Sequence, residues 1–151
     1  MKDIKIFFDE GRSFETQNIK PLMGIVGLYF IYNWKLEIQY PFQKSRLIYI
    51  GMSEKKTNSI GKRLQGHFDG VTGNEGIKSY QKANKVYFTY INFEMLKNLW
   101  TLNIESLESY FILNFVETYG VYPICNNKTG YDILDAKFEG NLIIDWGYFE
   151  K

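Results

Sequence analysis

At 151 residues with 45% apolar side chains, the chain is long enough to bury one core and short for two. Its single cysteine, Cys125, excludes an internal disulfide, and with its single histidine, His67, it excludes a Cys/His zinc site. The net charge of +1 hides an uneven distribution: residues 44–85 carry nine basic side chains against three acidic ones, and residues 86–151 carry four against nine.

The basic block comprises Lys44, Arg46, Lys55, Lys56, Lys62, Arg63, Lys78, Lys82 and Lys85. Such a block suits a phosphate backbone, whose counterions are released on neutralisation; the alternative is a solvated lysine-rich surface. Charges at Met1-Lys2-Asp3-Ile4-Lys5 stand where a signal peptide needs an apolar run. No stretch nears the roughly 20 apolar residues that span a bilayer. The expectation is a cytoplasmic protein without a membrane partner.

Taken in order, Ile4 to Phe8 reads as a strand, Asp9-Glu10-Gly11 as a turn, and a polar stretch ends at Pro21. Residues 27–32 and 47–51 read as two strands rich in aromatic and β-branched side chains. Between them Leu36, Ile38 and Tyr40 alternate, which predicts a hairpin that extends before turning near Pro41. Asn58 or Ser59 then caps a helix in which Ile60, Leu64 and Phe68 form a core stripe. Arg63 and His67, four residues apart, project together from its flank. Gly61 and Gly66 weaken that helix but let a second backbone come close.

A second helix is expected over residues 74–84, with Lys78, Lys82 and Lys85 near its end, and a third strand over 86–93. The last long helix, about 102–119, has Ile104, Leu107, Phe111, Ile112 and Phe115 as its apolar stripe. Glu108 falls inside the stripe and Glu105 nearer its edge. A carboxylate on a core-facing line requires either a cationic partner or a metal. Residues 131–151 read as a further hairpin with Glu139-Gly140-Asn141 as its turn, in a tail made acidic by Asp132, Asp135, Glu139 and Asp145. Together these elements predict one α/β (α+β) domain, a small, mainly antiparallel sheet flanked by helices.

Five pieces of this chain, in this order, resemble the GIY-YIG nuclease family: Gly27-Leu28-Tyr29, Tyr49-Ile50-Gly51, the helix GKRLQGHF from Gly61, Leu107 to Ile112 around Glu108, and Pro123-Ile124-Cys125-Asn126. The resemblance covers residues 27–126, about two thirds of the chain. In motif detail it is nearest the phage homing-endonuclease and restriction-enzyme branches, where a histidine follows the arginine by four residues as His67 does here. It implies a core of about 24–127 with extensions at 1–23 and 128–151. It also implies an endonuclease, a hydrolase of DNA phosphodiesters of the restriction, branched-DNA repair or mobile-element type, dependent on Mg²⁺ or Mn²⁺.

The implied catalytic set is Tyr29, Tyr49, Arg63, His67, Glu108 and Asn126. One of the two tyrosines helps take the proton from the attacking water, and a phenol with an ordinary pKa of ~10 needs a cation and a metal nearby to do so. Arg63 would bind the transition-state phosphate through its planar fork. His67 would relay a proton or hold the phosphate, or else simply pack beside the core. Glu108 would be the one protein ligand of a hydrated Mg²⁺. Asn126, or Asn127 beside it, would orient Glu108 or the phosphate, or else only shape the turn.

Family members often place a lysine or serine directly after the YIG glycine. Here Met52 follows, with a longer run to the arginine, and the resemblance implies that Ser53, Lys55 or Lys56 would fill that residue's role. Lys44, Arg46, Lys55, Lys56 and Lys62 are the expected nucleic-acid contacts. One such site cuts one strand, so double-strand cleavage implies a homodimer or sequential nicking. The rival readings are a catalytically lapsed domain of this kind, kept for binding nucleic acid or protein, and an unrelated α/β binding protein.

Overall fold

A computed structural model describes residues 2–126 and 140–150. Its centre is β3 (Gly27–Asn33), buried at all seven positions. A strand covered on both faces reads as a continuous apolar run, and GLYFIYN is such a run. It lies between β6 (Leu47–Ser53) and β7 (Val86–Asn92), antiparallel to both, and β2 (Arg12–Ser13) extends the sheet beyond β7 in the order β2-β7-β3-β6. The sheet is therefore antiparallel throughout, and β6 is an edge strand.

Alternation along β3 sorts the core into two halves. Leu28, Phe30 and Tyr32 face a cluster with Leu107, Phe111 and Phe115 of α4 (Ile104–Tyr119). Tyr29 and Ile31 face the opposite cluster, with Ile60 and Leu64 of α2 (Ile60–Asp69) and Ile77 of α3 (Glu75–Ala83). The fold is thus α+β, a mainly antiparallel sheet flanked by helices, as the patterning predicts. Between Ile31 and Tyr32 the β3–β6 register slips by one residue at Ile48, which joins the α2 side with its neighbour Tyr49.

Each of these three helices is capped by a side chain at its start. Ser59 Oγ accepts the Lys62 N–H at 3.3 Å to cap α2, Asn74 Oδ1 caps α3 through Ile77 N–H at 3.1 Å, and Asn103 Oδ1 caps α4 through Ser106 N–H at 2.8 Å. Helix α2 is held close to the chain before it, which carries the short helix α1 (Thr16–Ile19). Its Gly61 leaves no room for a side chain, since a Cβ there would lie 2.6 Å from Met23 N and 2.7 Å from the Leu22 carbonyl carbon.

The decorations differ from expectation at several points. The first strand, β1, spans Lys2–Ile6 rather than 4–8, and Phe8 instead packs edge-on to Phe30 at 4.8 Å. The insertion after β3 forms a short hairpin, β4 (Ile38–Gln39) with β5 (Lys44–Ser45), turning at Pro41 and Phe42 as the alternation predicts. The expected turn at Glu139-Gly140-Asn141 is a correction. Gly140 and Asn141 open β8 (Gly140–Ile144), which runs parallel to β1 with Lys2 opposite Gly140 and Ile6 opposite Ile144. The strand is selected by its partner in the N-terminal segment, a pairing no local pattern encodes. Asn127, Asp132, Asp135 and Glu139 lie outside the described residues. Among the described residues no helix is long and apolar enough to cross a membrane.

Candidate active site

Strand register makes the first contact of the site. Tyr29 stands opposite Gly51 and Ile31 opposite Tyr49, so the two tyrosines share the α2 face of the sheet on a diagonal, with ring centroids 6.0 Å apart. Gly51 is the space that Tyr29 fills. A Cβ at position 51 would fall 2.3 Å from Tyr29 Cζ and 2.5 Å from its oxygen. The glycine of the second motif and the tyrosine of the first are thus one steric unit.

Helix α2 brings its flank onto this pair. The Arg63 Nε–H donates to the Tyr29 hydroxyl at 3.3 Å, and His67 Nε2 shares a hydrogen bond with the same hydroxyl at 3.1 Å. The His67 ring sits edge-on to Tyr49, 5.1 Å between centroids, and its Nδ1 meets Thr72 Oγ1 at 2.9 Å. Tyr49, Lys62, Arg63, His67, Thr72 and Asn74 line one groove of about 510 Å³. Four of the six expected catalytic residues, Tyr29, Tyr49, Arg63 and His67, therefore meet at one place.

Their environments differ in ways that matter to chemistry. Tyr29 is 0% exposed, and burial together with Tyr49 raises its pKa far beyond that of a free phenol. Tyr49 is half-buried; burial and then Glu108 raise its pKa, while Arg63 pulls it down. Arg63 loses some stabilisation to desolvation, but Tyr29, Tyr49 and Glu108 together hold it above its ordinary value. Burial, and then the Arg63 charge, push His67 down to about 4, so it is neutral at physiological pH.

Glu108 is half-buried on α4. Its charge acts on Tyr29, Tyr49 and Arg63, so it belongs electrostatically to the same site although its helix packs on the other face of the sheet. Because β6 is the edge strand, groups from the two layers can meet beyond it. Among the described residues no group of three or more His, Cys, Asp or Glu side chains is arranged to hold a metal. A single carboxylate beside a groove fits a Mg²⁺ that keeps most of its water and takes its other ligands from phosphate.

Asn126 is held differently from expectation. Its Oδ1 accepts the Ile50 N–H and its Nδ2 donates to the Ile50 carbonyl, both at 2.9 Å. With Cys125 N–H on the Ile48 carbonyl at 2.8 Å, the segment acts as a fragment of strand that closes the open edge of β6. The amide that the resemblance assigns to Glu108 or a phosphate thus has both of its polar atoms on the backbone. Cys125 itself is buried, and burial pushes its thiol up to about 12.

Arg46 is likewise a correction. It is 6% exposed; Nη1 donates to the Trp34 carbonyl at 2.8 Å, Nη2 to the Tyr148 carbonyl at 3.0 Å, and the guanidinium lies 5.3 Å from the Tyr32 ring centroid. It ties the insertion to the C-terminal segment and is not available to DNA. Lys44 is exposed on the hairpin, whose Phe42 N–H bonds the Tyr119 carbonyl at the end of α4. Lys55 and Lys56 are exposed in the loop after β6, Lys56 on a separate hollow with Glu94 and Lys97. Lys62 is exposed at the groove itself. Ser53 is buried, and its hydroxyl is engaged by the Lys55 and Asn58 carbonyls at 3.2 and 2.6 Å, so it shapes the loop instead of facing substrate.

Thr72 and Asn74 are groove residues that sequence reading did not single out. Asn74 carries a helix-cap signature, and its Nδ2 also donates to the Cys125 carbonyl at 3.0 Å. Thr72 carries no signal at all, since only the return of the chain beside α2 sets it against His67. Compared with protein-family models, curated proteins and solved structures, the chain matches none of them.

Proposed function

We propose that the protein is a metal-dependent endonuclease of the GIY-YIG kind that hydrolyses DNA phosphodiesters. The observation that carries this reading is the convergence of Arg63 and His67 on the Tyr29 hydroxyl beside Tyr49, in one groove with Lys62 at its rim. A phosphoryl-transfer site needs an obligate cation, a phenol or imidazole to manage a proton, and access for an extended anionic substrate.

In this reading Tyr49 is the member that reaches the attacking water, because it lines the groove while Tyr29 is sealed behind it. Arg63 favours the phenolate of either tyrosine and offers its remaining N–H groups to a phosphate in the groove. His67, neutral, accepts or positions the Tyr29 proton. Glu108 would hold a hydrated Mg²⁺ or Mn²⁺, which when bound supplies Lewis-acid stabilisation at the phosphate and leaving oxygen.

The test is cleavage of supercoiled plasmid, branched DNA and single-stranded DNA with and without Mg²⁺, comparing wild type with Glu108→Ala and Arg63→Ala. Metal-dependent nicking that both substitutions abolish supports the reading. Unimpaired DNA binding with no cleavage of any substrate overturns it in favour of a lapsed binding module.

A further inference from the structure

We infer that Thr72 is a positioning residue that fixes His67 in the tautomer protonated at Nδ1, so that the Nε2 lone pair is presented to Tyr29. Its catalytic meaning rests on the reading of the groove as an active site; the tautomer itself rests on the hydrogen-bond geometry around His67.

The Tyr29 hydroxyl makes direct hydrogen bonds with Arg63 Nε at 3.3 Å and His67 Nε2 at 3.1 Å, and the Tyr49 phenol stands beside it as a further acceptor. Arg63 can only donate, so it occupies a lone pair of the phenol. Tyr29 is 0% exposed, and of the acceptors beside it His67 Nε2 is the one that meets its hydroxyl in a direct hydrogen bond. This assigns the phenol proton to Nε2, which is then unprotonated. A neutral imidazole with a bare Nε2 carries its proton on Nδ1, and burial with Arg63 close by keeps this ring neutral.

The Nδ1–H finds Thr72 Oγ1 at 2.9 Å. Thr72 is free to accept it because the residue is exposed and can turn its own hydroxyl proton to water, while its other recorded contact, the Asn74 N–H at 3.5 Å, is also a donor. The reverse arrangement aims two N–H groups, one of them from the Arg63 cation, at one phenol oxygen and leaves the buried Tyr29 proton only the Tyr49 phenol.

The chain's one histidine makes the test direct. Two-bond ¹H–¹⁵N correlation of uniformly ¹⁵N-labelled protein at pH 7 should show a single neutral imidazole, protonated at Nδ1 and bare at Nε2. Thr72→Val should lose that pattern in favour of the Nε2-protonated form or a mixture, and Thr72→Ser should retain it. Tyr29→Phe, which removes the proton donated to Nε2, should relax the preference as well. A wild-type ring protonated at Nε2, a charged ring at pH 7, or a Thr72→Val spectrum identical to wild type overturns the inference.

In the plasmid assay Thr72→Val should lower the cleavage rate by about 10- to 100-fold, the usual effect of losing an orienting partner, with Thr72→Ser restoring it. An Nδ1-protonated ring that responds to Thr72→Val, in a protein that cleaves nothing, sustains the tautomer and removes the nuclease reading.

Discussion

Gly51→Ala tests whether the second motif's glycine exists to receive the first motif's tyrosine. In a strand interior, exchanging glycine for alanine ordinarily stabilises by about 0.5–1 kcal/mol, because glycine loses more backbone freedom on folding. Here the sign should reverse. The new Cβ would lie 2.3 Å from Tyr29 Cζ, 2.5 Å from Oη and 2.7 Å from Cε2, and ordinary contact begins near 3.4 Å. The ring must therefore move by about 1 Å, at an overpacking cost of about 1–3 kcal/mol. Such a shift also stretches the 3.3 Å and 3.1 Å hydrogen bonds to Arg63 and His67, each contributing about 1 kcal/mol. The net expectation is a loss of about 2–4 kcal/mol, read as a lower denaturation midpoint in urea with an unchanged slope. A double-mutant cycle isolates the cause: in a Tyr29→Leu background, which has no ring at that place, the penalty of Gly51→Ala should largely vanish. An equal penalty in both backgrounds, or a stabilised Gly51→Ala, would refute the steric argument.

Asn126→Ala should cost about 2–3 kcal/mol in the same assay, because it strips the Ile50 N–H and carbonyl of their partners at a buried edge; a change under about 0.5 kcal/mol would mean that the edge closure adds nothing. His67 makes stability depend on pH. Its folded pKa of about 4 lies below the unfolded 6.5, so the unfolded chain binds the extra proton and stability falls as pH drops from 6.5 toward 4, by up to about 3 kcal/mol. His67→Gln should flatten that part of the profile, and an unchanged acid slope in the variant would count against it. Arg46→Ala should destabilise by about 2–5 kcal/mol, because the Trp34 and Tyr148 carbonyls lose their donor, and if the protein binds DNA as proposed the salt dependence of that binding should stay intact. Lys62→Ala, at the groove rim, should do the opposite, lowering the slope of log K against log salt by about 1 without a measurable change in stability.

Local pattern was enough for the central elements. The continuous run of β3, the Ser59 cap of α2, and the 3.6-residue stripe of α4 are short-range signals, and each element forms where those signals stand. Spacing also put Arg63 and His67 on one helical flank, and the structure turns that flank toward the two tyrosines. What the chain could not state locally was decided by distant partners. Gly140 and Asn141 have turn composition but become a strand because β1 lies alongside. Arg46 reads as one more lysine-block cation, yet carbonyls of residues 34 and 148 enclose it. Asn126 is spent on the backbone of β6 because that strand is an open edge, a property of sheet order and not of sequence. Thr72 acquires its role solely through the fold, which sets an otherwise ordinary hydroxyl against the one imidazole in the chain. Propensity and periodicity act over a few residues, whereas burial, edge pairing and hydrogen-bond partners are set by which segments meet in space.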